Sequence, residues 1–153
     1  MLTRRFYRDH IKGSDHKAPI VLDRDFLCNV GKRTHQIINK EVVCLQRGVY
    51  LTTKALKHIH DRHIYIKSTP EDFEIILENL HSVIKRPDFL YQNKPHQRAD
   101  FLLVKNIDSQ LFLTGIEIMN NTEIEIVSAF ATDADYLKNF NQLWGGETAN
   151  LSS

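Results

Sequence analysis

The stretch Thr52-Thr53-Lys54-Ala55-Leu56-Lys57-His58-Ile59-His60-Asp61-Arg62-His63 gathers groups that move protons and hold anions. It carries three of the chain's eight histidines, together with two lysines and an arginine. Read as a helix at 100° per residue, Ala55, Leu56 and Ile59 form an apolar stripe that also takes in His63. Lys54, His58 and Arg62 recur at i, i+4 and i+8 along one shoulder, with Asp61 beside them and Lys57 further round. A core anchors one side of such a helix while a proton-transfer group stands in a line of cations. That arrangement suits metal-independent cleavage of RNA. A base must take the 2′-OH proton, an acid must protonate the leaving 5′-oxygen, and cations must stabilise the phosphorane between them. Histidine serves either proton role near neutrality. The planar fork of Arg62 suits two phosphate oxygens, and Lys54 or Lys57 adds point charge.

Two other readings compete for these residues. His58, His60 and His63 spell H-x-H-x-x-H, and histidine triplets bind zinc. On a helix, however, His58 and His60 stand about 200° apart, and the flanking cations oppose a dication. No metal and no cofactor is therefore expected. The blander reading makes His58 and Arg62 a solvated shoulder and His63 a core histidine bonded to a backbone carbonyl.

The composition is compatible with any of these. At 153 residues the chain fits one domain with a real core, and 42% hydrophobic with 25% charged residues is ordinary for a globular protein. The formal charge of only +1 removes the global basic excess of many nucleic-acid binders, so any such site must rest on local clustering. One cluster is the helix above. The other is the N-terminal segment with Arg4, Arg5, Arg8, Lys12 and Lys17. No apolar run reaches membrane-spanning length. The opening Met-Leu-Thr-Arg-Arg-Phe-Tyr-Arg has charge but no following signal core, so a cytoplasmic site of action is expected. Secretion without an N-terminal signal stays open. Cys28 and Cys44 fit no CxxC pattern and read as buried thiols on neighbouring strands.

In chain order, residues 1–18 read as a basic arm and residues 19–144 as a single domain, with a frayed tail over 145–153. Short apolar runs at 20–22, 26–30, 35–38 and 42–45, separated by turn signals, predict a β-hairpin or meander. Thr52 or Thr53 caps the His-rich helix. Thr69 as cap, Pro70 at the first helical position and the period of Phe73, Ile76, Leu77, Leu80, Val83 and Ile84 predict a second helix, ended by Pro87. His81 on it reads as a surface residue. Four strands follow at 89–91, 101–104, 111–118 and 123–130, joined by short polar turns. Gly115 breaks the alternation and predicts a bulge or a close backbone approach. In the last strand, alternation places Ser128 on one face with Ile124, Ile126 and Phe130. Thr132 or Asp133 then caps a final helix with Ala134, Leu137, Phe140 and Trp144 inward, stopped by Gly145-Gly146. The fold class expected is α+β: an antiparallel four-stranded sheet with helices on one face, preceded by an N-terminal β-hairpin or meander.

Lys57-His58-Ile59-x-x-Arg62-His63 resembles the "KHI..RH" signature of the phage and mobile-element nucleases grouped as barnase–EndoU–colicin E5/D–RelE-like. Ile84-x-x-Pro87, Leu90-Tyr91, and Ser128-Ala129-Phe130 leading to Thr132 and Tyr136 follow compatibly, so the resemblance covers about residues 48–144. It implies a metal-independent ribonuclease on a small α+β fold, often a toxin against tRNA or other cellular RNA, with an immunity or antitoxin protein as a further partner. It further implies His58 as general acid or base, Arg62 as the phosphate-binding cation, and His63 as second proton carrier or orienting residue. Ser128 and Thr132 become hydrogen-bond donors to phosphate, and Tyr136 a platform for a base. A non-catalytic protein using the same scaffold to bind a host protein or RNA is the alternative, and the near-neutral charge fits it. The sequence leaves the oligomeric state open.

Overall fold

The computed structural model describes residues 24–62 and 70–145. The expected basic arm, the run at 20–22, His63, the Thr69 cap and the tail beyond Gly145 lie outside the described residues.

Seven strands form one sheet in the order β1-β2-β6-β5-β4-β3-β7. They are β1 (Arg24–Asn29), β2 (Gly48–Thr52), β3 (Phe89–Gln92), β4 (Phe101–Ile107), β5 (Gln110–Met119), β6 (Glu123–Thr132) and β7 (Asn141–Gly145). Every neighbouring pair is antiparallel except β2 and β6, which run parallel through Val49↔Ile124 and Tyr50↔Glu125. The expected four-stranded antiparallel sheet is therefore corrected to a seven-stranded mixed one. Its middle, β3 to β6, follows the alternation in the sequence. The additions come from chain-distant pairings: β2 joins β6 rather than closing a separate hairpin, and β7 joins β3.

Three stretches change type, the last being the expected final helix through Trp144, which ends at Leu137 and gives way to β7. The run His35-Gln36-Ile37-Ile38 lies in helix α1 (Lys32–Glu41), not in a strand. Thr34 and Ile38, four apart, are its buried residues, so the run supplies one helical face. Residues 42–45 form no strand either; Leu45 and Gln46 instead donate backbone hydrogen bonds to Asn121 and Thr122 in the β5–β6 turn, both at 2.9 Å. Cys28 and Cys44 are both buried and free, but only Cys28 is on a strand.

Helix α2 (Thr53–Arg62) begins where β2 ends, and Thr52 Oγ1 accepts from the Ala55 N–H at 3.1 Å, capping it. Helix α3 (Pro70–Lys85) buries Phe73, Ile76, Leu77, Leu80, Val83 and Ile84. Those side chains join Ala55, Leu56 and Ile59 of α2, Ile38 of α1, and the sheet residues Leu90, Phe101, Leu103, Phe112, Ile116, Ile124, Ile126 and Ala129 in one core. The opposite sheet face carries a second cluster, with Phe89, Tyr91, Leu102, Val104, Leu111, Leu113 and Val127. Leu137 of the one-turn helix α4 (Ala134–Leu137) sits there. The helices are thus divided between two faces, three on the first and the short α4 on the second. No described helix is long and apolar enough to cross a membrane.

His81 of α3 is half-buried, not a surface residue, and its Nδ1 has no hydrogen-bond partner among the described residues. Burial lowers its pKa, the Lys85 charge lowers it further, and a hydrogen bond with the Leu27 backbone partly opposes both. The folded chain therefore favours neutral imidazole. As pH falls through the ordinary histidine value near 6.5, the unfolded state takes up the proton first and stability declines. Urea midpoints measured between pH 7 and 5 should fall less steeply in His81→Gln than in the wild type.

Candidate functional site

The second sheet face opens into a cleft of about 400 Å³ with three walls. Its floor is Ala99, Leu102, Leu113, Val127 and Ser128. One wall is His58, from α2. A second is the β3–β4 connection, with Asn93, Lys94, Gln97 and Arg98. The third is aromatic: Phe130 of β6, Tyr136 of α4, and Phe140 just before β7.

His58 reaches this cleft because α2 is fixed by its other side. Ala55, Leu56 and Ile59 are at most 2% exposed, while His58 and Lys54 on the shoulder are exposed. Helical spacing sends His60 elsewhere. It is buried, meets Phe73 edge-on at 5.2 Å, and holds Nδ1 3.2 Å from Asp61 Oδ1. His58 and His60 therefore cannot converge, and among the described residues no three His, Cys, Asp or Glu side chains gather as a metal site.

Ser128 reaches the cleft through a bulge. Gly115 pairs with Ser128, but Ile116 pairs with Ile126, so Val127 is an extra residue in β6. The register then continues through Thr114↔Ala129 and Leu113↔Phe130. The extra residue reverses the alternation. Ile124 and Ile126 stay in the helix-side core, whereas Ser128 and Phe130 face the cleft. The expectation that Ser128 shares a face with Ile124 and Ile126 is corrected, and the correction brings its hydroxyl to the face His58 reaches.

The remaining expected site residues divide. Tyr136 lines the cleft, packed at a ring distance of 5.7 Å from Phe130 and 5.2 Å from Phe140. Asp133, not Thr132, caps α4, accepting the Tyr136 N–H at 2.8 Å. Thr132 lies at the far end of β6, roughly 13 Å beyond Ser128, with its carbonyl accepting from Gln110. It does not line the cleft. Lys57 is buried, holds Nζ 3.9 Å from Asp61 Oδ2 one helical turn on, and does not line the cleft. Lys54 stays on the exposed shoulder without lining the cleft. Arg62 ends α2, but its side chain, like His63, falls outside the described set.

Two cations enter that spacing did not single out. Arg98 stands at the cleft with Nε 3.5 Å from Glu117 Oε1 of β5, and Lys94 lies 5.6 Å over the Phe140 ring. Both belong to a turn, Asn93-Lys94-Pro95-His96-Gln97-Arg98, where no periodicity points at a face. The only signal was two cations in a connection between strands. Asn93 shapes that turn by donating to the Ala99 carbonyl at 2.8 Å and accepting the Lys94 N–H at 2.8 Å.

The cleft therefore combines one imidazole, one serine hydroxyl, two cations and an aromatic wall that includes a phenol, which is a chemistry for a phosphate beside a planar base. No curated protein and no solved structure matches the chain. A family model does: it spans residues 29–139, starting ahead of residue 48 and taking in α1 and β2. On that match, the chain belongs to the phage-Barnase-EndoU-ColicinE5/D-RelE like nuclease3 family.

Proposed function

We propose that this nuclease-family chain is a metal-independent endoribonuclease whose site is the cleft between α2, the β3–β4 connection and α4. The observation that carries the reading is that His58 and Ser128, seventy residues apart, line one cleft with Arg98 and Tyr136. In this reading an RNA strand enters with a base against Tyr136 and its phosphate over Ser128. His58 transfers the proton, from the 2′-OH or to the departing 5′-oxygen. Arg98 and Lys94 stabilise the charge that builds on the phosphoryl oxygens. Arg98, paired with Glu117, takes the place that the sequence pattern gave to Arg62. The second proton carrier in this scheme is His63.

The substrate class inferred is cellular RNA, tRNA included, met in the cytoplasm. A chain that cuts such RNA without restraint is toxic, so an immunity or antitoxin protein belongs to the same reading. The test is direct. Purified protein incubated with tRNA, mRNA or rRNA in excess EDTA should cut it, leaving a 2′,3′-cyclic or 3′-phosphate and a 5′-hydroxyl. Intact RNA under those conditions sinks the proposal for these substrates. A stable pull-down complex without cleavage would favour a binding protein instead.

A further inference from the structure

We propose that Gly115 is a positioning residue for Ser128: its missing side chain leaves the space into which the β6 bulge delivers the Ser128 hydroxyl. The inference rests on the nuclease reading and adds to it a residue that touches no substrate.

Gly115 lies inside β5, where a glycine weakens a strand and needs a reason. Backbone conformation does not supply one. Gly145 is the only described glycine with positive φ, so Gly115 occupies a conformation open to any residue. Space does supply one. A Cβ at position 115 would stand 2.7 Å from Ser128 Oγ and 3.2 Å from the Ala99 Cβ, with Leu102 Cδ2 at 3.8 Å. The first distance is closer than a carbon and a hydroxyl oxygen tolerate, so one of them has to move. Ser128 is the mobile partner, because rotation about χ1 carries its oxygen away. Two small residues of the cleft floor, Ala99 and Ser128, thus close over the place where a side chain at 115 would stand. No described residue hydrogen-bonds the Ser128 hydroxyl, which leaves it free to donate to a phosphate oxygen. The Val127 bulge and Gly115 act together: the bulge turns Ser128 to the cleft face, and the glycine sets the rotamer it can hold there.

The test compares wild type, G115A, S128A and G115A/S128A for cleavage of total tRNA in EDTA, separating kcat from KM, with thermal melting of each. S128A should lower kcat on the order of 10²-fold, the effect of removing one well-placed donor. G115A should lower kcat by a similar factor with KM little changed. The double variant should be no slower than S128A, and it should melt above G115A because the Cβ no longer meets an oxygen. Should G115A fold poorly alone, G115A/S128A against S128A still decides: equal kcat supports the assignment and a further loss overturns it. Unchanged kcat in G115A, or single effects that multiply in the double variant, also overturns it while leaving the nuclease reading intact. RNA left whole by the wild type overturns both.

Discussion

Replacing His58 by alanine should lower RNA cleavage on the order of 10²–10⁴-fold, the usual contribution of a positioned acid or base, while the melting temperature stays near that of the wild type. The two halves of this expectation come from different sides of α2. His58 is exposed on the shoulder, and what docks the helix is Ala55, Leu56 and Ile59, none more than 2% exposed. Surface substitutions clear of such packing usually change stability by about 0.5 kcal/mol or less, and alanine is the better helix former. A loss of activity in His58→Ala accordingly reports chemistry rather than unfolding. Cleavage of tRNA in EDTA alongside a circular dichroism melt checks both. Wild-type rates in a folded His58→Ala protein remove His58 from the mechanism, and Ser128 and Arg98 would then have no proton carrier to serve within the described cleft.

Helices α2 and α3 were legible because their apolar residues hold a helical period and because Thr52 and Pro70 mark the starts. The strands β3 to β6 were legible because short polar turns join them, so neighbours in sequence are neighbours in the sheet. Simple alternation puts Ser128 on the wrong face, since one extra residue, Val127, reverses every side chain after it. The broken alternation at Gly115 did point to the irregularity, though not to its consequence. In the α1 stretch Ile37-Ile38 favours a strand by local propensity, whereas burial of Thr34 with Ile38 requires a helix. Pairing of β2 with β6 joins Val49 to Ile124 and Tyr50 to Glu125, 75 positions apart, which no local pattern encodes. Arg98 is hidden for a related reason: it shares the cleft with Ser128 through the sheet order, not through spacing.

The end of the chain gives the second large effect. Apolar spacing through Ala134, Leu137, Phe140 and Trp144 suggests one long helix, but α4 stops after a single turn and the chain turns back as β7. Asn141, Gln142, Trp144 and Gly145 pair with Gln92, Tyr91, Leu90 and Phe89 of β3. Trp144 packs against the helix-side core and lies under Arg33 at 5.3 Å. Gly145 makes this end possible. Its φ is +113°, and an added Cβ would stand 2.6 Å from the Asp88 carbonyl oxygen, 2.6 Å from Phe89 Cδ1 and 3.0 Å from Phe89 Cα. Backbone atoms cannot rotate away as a side chain can. Gly145→Ala should therefore cost about 2–5 kcal/mol, combining backbone strain with overpacking. At the cap of a long helix the same change would cost only about 1 kcal/mol. Urea unfolding followed through Trp144 fluorescence separates the two, and a loss under about 1 kcal/mol would argue against the strand. The effect should also reach the site. Phe140 and Asn139 line the cleft in the turn between α4 and β7, so a loosened β7 releases the aromatic wall against which a base would stack. Gly145→Ala should accordingly raise KM more than it lowers kcat, the reverse of the pattern expected for His58→Ala.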